Sequence, residues 1–333
     1  MVLANKWVSF LILSGLLAAP ALSSASTCTS QAELNATDRN ALAEAAQRLA
    51  VAVVRQDMST IQASLLPAVT QQWDAIRGAI EQGASDVKGG QPQLNNIYLL
   101  DATALTAPAD TQFFCSNADG SMTVTISLST LPPGKFAVVQ AYVVGSPTPG
   151  AVPAIVGQIA FILGLDGSAW KLGGVFVRPA MLGGHDGVWF WLRARELARS
   201  DSHWAAYYAY QAARYLLLPV DFISSPNLER LEQEQAQIRN QPVFPYPLTA
   251  GDRTWKVVNV RFDPALREAD LGVTYESAGV TDPAAQRTEA ISVLGALLKA
   301  QPALRQGFHG LWAYASSEGK VTPVMELPMN QIP

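Results

Sequence analysis

The chain has 333 residues, of which 49% are hydrophobic and only 15% charged, a balance that favours packed cores and excludes intrinsic disorder. With 23 Lys and Arg against 27 Asp and Glu it is mildly acidic, which excludes the basic footprint of a nucleic-acid binder. The length predicts two or three domains.

Residues 1–26 read as a cleavable secretory signal peptide. Lys6 precedes an apolar run from Trp7 to Leu22, and Ser23-Ser24-Ala25 supplies small residues for cleavage after Ala25 or Ser26. The run is interrupted by Ser14, Gly15 and Pro20 and is too short to span a bilayer, and an uncleaved anchor is the alternative. Export to the periplasm or the medium places Cys28 and Cys115 where thiols oxidise, so a Cys28–Cys115 disulfide is expected. Two separate buried thiols are one alternative. Lipidation of Cys28 is another, but Ala25-Ser26-Thr27 lacks both the branched apolar residue three places before the cysteine and the small residue directly before it.

Residues 27–182 form the first predicted unit. Leu42, Ala46, Leu49 and Val53 recur at helical steps, with Thr37 or Asp38 placed to cap the start. Two further helical stretches follow, Ile61 to Leu66 and the one carrying Val69, Trp73, Ile76 and Ile80, with Pro67 between them. After Gly89-Gly90 the period changes to two. Strands are expected near Ile97 to Leu105, Thr111 to Ser116, Met122 to Leu131, Phe136 to Val144, Val156 to Leu165 and Ala169 to Val177, joined by short turn sequences that favour antiparallel hairpins. Helices followed by a curved antiparallel sheet over residues 36–179 resemble the nuclear transport factor 2-like, or cystatin-like, α+β fold. The resemblance rests on element order, and it implies a cone-shaped sheet with a pocket that is catalytic in some relatives and binds ligand or protein in others.

Residues 183–240 begin at the joint Gly183-Gly184 and carry Trp189, Trp191, Trp204, Tyr207, Tyr208, Tyr210 and Tyr215 among alanines. Phe190, Ala194, Ala206, Tyr210 and Ala213, ending at Leu218-Pro219, resemble one divergent tetratricopeptide hairpin over 187–219. A lone hairpin of that kind must dock on another part of the chain. A helix from Ser225 to Asn240 follows, capped by Ser225 or Asn227, and the prolines of 241–253 read as a stiff linker. Residues 254–333 read as a small ββαββ unit: strands Trp255 to Phe262 and Leu271 to Glu276, a helix Pro283 to Leu298 capped by Asp282, and strands Gly310 to Ala315 and Val321 to Leu327. The fold class is therefore α+β.

No catalytic signature accompanies these elements. Neither a Gly-x-Ser-x-Gly elbow nor a Walker or dinucleotide glycine pattern occurs, and His185, His203 and His309 lack metal-binding spacing, so no metal and no cofactor is expected. An enzyme of the polyketide-cyclase or ketosteroid-isomerase kind would draw on Tyr98, Asp101 and His185 in the cone, with Asp166 a further acid; Asp101 is equally a solvent-facing residue at a strand bend, and Asp166-Gly167 a hairpin turn. Trp189, Trp191, Trp204, Tyr207 and Tyr208 form either a partner surface or, as aromatic residues at helical spacing more often do, core. The expectation is an envelope protein that binds a protein or small ligand without chemistry.

Overall fold

The computed structural model describes residues 26–116, 120, 123–145, 154–264, 267–277, 279–280 and 282–333. The predicted signal peptide lies outside these residues except for Ser26. The chain is α+β throughout.

Helix α1 (Ala36–Arg55) is capped two to three residues earlier than expected. Asn35, not Thr37 or Asp38, is the N-cap, its side chain accepting from the Asp38 amide at 2.9 Å. Helices α2 (Met58–Ala63) and α3 (Trp73–Val87) follow, with Pro67 opening a short 3-10 turn (Pro67–Gln72) between them. Their apolar stripes bury Leu42, Leu49, Val53, Ile61 and Ile80 against one face of a five-stranded sheet.

That sheet has the order β1-β2-β5-β6-β7, all antiparallel, built from β1 (Thr27–Ser30), β2 (Gln91–Asp101), β5 (Lys135–Val144), β6 (Ile155–Asp166) and β7 (Ala169–Pro179). Between β2 and β5 the chain leaves it to form β3 (Ala109–Ser116) and β4 (Thr123–Leu131), which cover the opposite face together with β10 (Ile223–Ser224). The sheet is thus apolar on both sides. Ile97, Val139 and Phe161 face the helices, whereas Tyr98, Leu100, Val138 and Ala160 join Phe113, Ile126 and Ile223 under the small sheet. A disulfide between Cys28 and Cys115, with Cα atoms 5.2 Å apart, ties β1 to β3 as expected.

After a two-strand ribbon, β8 (Met181–Leu182) and β9 (His185–Asp186), the aromatic segment forms α4 (Gly187–Arg199) and α5 (His203–Leu217). Asp186 caps α4 by accepting from the Trp189 amide at 2.8 Å. Gly187 is required where the helices close: a Cβ there would lie 2.6 Å from Leu217 Cγ. Helix α6 (Pro226–Ala236), capped by Ser225, packs on α5.

The predicted linker at 241–253 is corrected by the structure. Tyr246–Ala250 is a strand, β11, lying at the edge of a second sheet of order β11-β12-β13-β14-β15. Its partners are β12 (Arg253–Asp263), β13 (Asp270–Glu276), β14 (Gly310–Ser317) and β15 (Lys320–Pro328). Pro247 is tolerated because an edge strand need not donate on its free side. Helix α7 (Pro283–Ala300), capped by Asp282, crosses between the parallel pair β13 and β14. One continuous core joins Trp204, Tyr208 and Leu216 of the hairpin to Trp255, Leu271 and Tyr275 of the sheet and to Val293, Leu294 and Leu297 of α7. The hairpin therefore docks on the C-terminal sheet.

Candidate functional site

The face of the first sheet that the small sheet covers continues beyond it. Alternation along β2, β5 and β6 places Asn96, Tyr98, Gln140, Tyr142 and Gln158 on this face, with Asn96 paired to Gln140 and Tyr142 to Gln158 across the strands. The uncovered end is a polar floor in a sheet that is otherwise apolar. Val188 and Trp191 of α4, Leu217 at the end of α5, Pro219 and Ile223 beyond it, and Ser225, Asn227 and Leu228 at the start of α6 close over it. The result is a cleft of about 570 Å³, the size of a small-ligand site, at the junction of sheet and helices.

Every described residue lining this cleft is uncharged. Asn96 donates to Gln140 Oε1 at 2.9 Å, which fixes both amides while using one donor of Asn96 and one acceptor of Gln140. Gln158, only 6% exposed, donates to the Leu216 carbonyl at 2.8 Å and so fastens the end of α5 to the sheet. Burial, reinforced by the neighbouring Tyr142, raises the Tyr98 pKa, so its phenol stays neutral. The walls offer hydroxyls, amides and apolar surface.

The α4–α6 side of the cleft is set by Glu234. Its carboxylate accepts from Trp191 Nε1 at 2.8 Å, from Arg195 Nε and Nη2 at 2.8 Å each, from Tyr210 Oη at 3.2 Å and from Arg230 Nε at 3.0 Å. The Arg195 hydrogen bond leads the interactions that hold the Glu234 pKa down at about 2. Arg195 also lies over the Trp191 ring, 4.6 Å from its centroid, so ring and guanidinium are held as one unit.

The residues named for catalysis do not converge. Tyr98 lines the cleft, but Asp101 stands three places further along the same strand and points to the opposite face. Asp101 closes a turn, accepting from the Thr103 hydroxyl and, at 3.0 Å, from its amide; these bonds hold its pKa below the usual range. His185 is exposed and stacks on Trp189 at 3.7 Å, and Asp166 pairs with Lys171 at 2.7 Å. Of the residues named as a partner surface, Trp204 and Tyr208 are core, at 7% and 0% exposure, because α5 faces the second sheet. Tyr207 is half-buried, Trp191 is half-buried in the cleft wall, and Trp189 alone is well exposed.

Asn96, Gln140 and Gln158 are not singled out by the sequence, and Asn227 only as a candidate helix cap. A signal existed for two of them: Gln140 and Gln158 are single amides inside the apolar strands Phe136 to Val144 and Val156 to Leu165, where an amide needs a partner. The groups able to hold a metal lie elsewhere. Asp270, His309 and Glu326 bring one ligand atom each within 4.8 Å of one another on the second sheet. Burial, followed by the charge of Asp270, raises the Glu326 pKa.

No family model, no curated protein and no solved structure matches this chain.

Proposed function

We propose that this is an exported binding protein, periplasmic or secreted, that holds an uncharged ligand in the cleft between its first sheet and the helices α4 and α6, without chemistry. The observation that carries the reading is the neutral lining. General acid–base catalysis near neutral pH is most often carried by an imidazole or a carboxylate within hydrogen-bond reach of the substrate, and the described lining supplies neither, nor an amine or thiol; its titratable groups are the phenols of Tyr98 and Tyr142, and burial raises the Tyr98 pKa. Amides beside apolar and aromatic surface suit a molecule bearing hydroxyl or amide groups on an apolar body. The disulfide supports export, and no described helix is long and apolar enough to cross a membrane.

A thermal-shift screen of the full chain against neutral oligosaccharides and uncharged capped peptides tests this. A ligand at about 100 times its dissociation constant stabilises by about 2.7 kcal/mol, so a hit is readily seen. Asn227 is exposed at the cleft mouth, and Asn227→Trp blocks entry. The expected result is a shift from at least one class that disappears in Asn227→Trp. No shift from either class, or an equal shift in both proteins, contradicts the reading.

A further inference from the structure

The two faces of the second sheet differ in chemistry. Leu271, Val273, Leu311 and Ala313 point to the hairpin and α7, whereas Asp270, Trp312 and Glu326 lie on the other face, with Trp312 registered opposite Glu326. A full row of bulky side chains does not fit there. Gly310 opens the space: a Cβ would meet Glu326 Oε1 at 2.6 Å and Asp270 Oδ1 at 3.1 Å. Two carboxylates from separate strands thus converge on a gap left by a missing side chain, and His309 approaches from the residue before β14.

We propose that Asp270, His309 and Glu326 form a binding site for a divalent transition-metal ion of the zinc class. Asp270, whose side chain is 1% exposed, is divided in its duties: Trp312 Nε1 donates to Oδ2 at 3.2 Å, while Oδ1 lies 3.0 Å from His309 Nδ1. Two ligands bound at about 2.1 Å on a tetrahedral ion stand about 3.4 Å apart, so this pair has to open by only about 0.4 Å to become adjacent ligands. Trp312 acts as the outer partner that orients a ligating carboxylate. Glu326 Oε1 supplies an independent sign, being a buried oxygen without a hydrogen-bond partner among the described residues. A buried anionic oxygen left in that state is costly, and an ion beside it removes the cost.

One imidazole nitrogen with two carboxylate oxygens suits zinc or a neighbouring transition metal better than magnesium or calcium, which prefer oxygen alone. The His309 side chain is 43% exposed, so the ion keeps an open side toward water. Bound there, it links β13, the start of β14 and β15. The chain scanned by spacing conceals the site because its three ligands come from three elements.

Zinc titration of the full-length, chelator-treated protein by calorimetry tests the site. One ion per chain is expected, with a dissociation constant of about 10 µM or tighter. His309→Ala, at an exposed position, and Glu326→Gln each weaken binding at least about tenfold, and Trp312→Phe weakens it about 10- to 100-fold through Asp270. His185→Ala leaves the affinity unchanged. Absence of saturable binding, an undiminished affinity in His309→Ala, or a loss in His185→Ala overturns the proposal. Circular dichroism of each metal-free variant establishes that it is folded.

Discussion

Single residues decide both what the cleft can do and how it is held. Tyr98 and Asp101 stand side by side in a list of residues named for catalysis, yet an offset of three in a strand sends them to opposite faces, a constraint already present in the period-two pattern. Glu234 is the reverse case, one carboxylate among many in a Glu- and Gln-rich helix. Its importance lies in the four partners that two other helices and its own bring to it, and no local pattern announces that. Its pKa is lowered in the fold, from the ordinary 4.5 to about 2. The stability it contributes is therefore present above about pH 4.5 and is lost as pH falls toward 2. Replacing Glu234 by Gln is expected to destabilise the protein by about 2–3 kcal/mol at neutral pH, the scale of a charge-assisted hydrogen bond. Urea unfolding across that acid range checks both points: wild type loses its advantage over Glu234→Gln as the pH falls. A constant difference down to about pH 2 contradicts the role given to Arg195.

At the scale of elements, strong periodicity was readable and tertiary context was not. Five of the six strands expected in the first unit and the helix–strand order of the last stand close to their expected ranges, because apolar alternation and turn residues are local signals; β2, expected from Ile97 to Leu105, is Gln91–Asp101. Strand β11 escaped because Pro242, Pro245 and Pro247 read as linker, and only its place at a sheet edge makes it a strand. The start of β2 escaped because Gln91 to Asn96 is mostly polar and reads as loop; of these residues Asn96 lines the cleft. The aromatic hairpin was legible as helices but not as to which face is buried. Trp204 answers that, packing on Tyr246 at 4.9 Å and Phe244 at 5.8 Å between ring centroids. Trp204→Ala is expected to lower stability by about 3–5 kcal/mol, the range for a large aromatic removed from a core. Denaturant unfolding measures it. A change under about 1 kcal/mol would mean that the hairpin does not depend on this contact.

Across the whole molecule, the sheet–helix junction holds the cleft to which the proposed function is assigned. The first sheet and the hairpin are joined by directed bonds, Gln158 to the end of α5 and Arg178 to the Leu218 carbonyl at 2.9 Å, while Arg267, between β12 and β13, ties the second sheet to the Ser85 carbonyl of α3 at 3.0 Å. A cleft at such a junction can adjust its width while both bodies keep their cores. The disulfide closes 87 residues of sequence separation and in the chain-entropy account stabilises by up to about 4–5 kcal/mol, holding β1 and β3 around the sheet that forms the floor. Fold class was legible because it sums many local patterns. The cleft was not, since it is assembled from β2, β5, β6, α4 and α6. The neutrality of its lining is the central claim, and calorimetric titration of the ligand found by the screen tests it most directly. With no charge and no imidazole in the described walls, the affinity is predicted to stay within about twofold between about 0.05 and 0.5 M salt and between about pH 5 and 8. A tenfold fall with salt, or a titration step within that pH range, would contradict it.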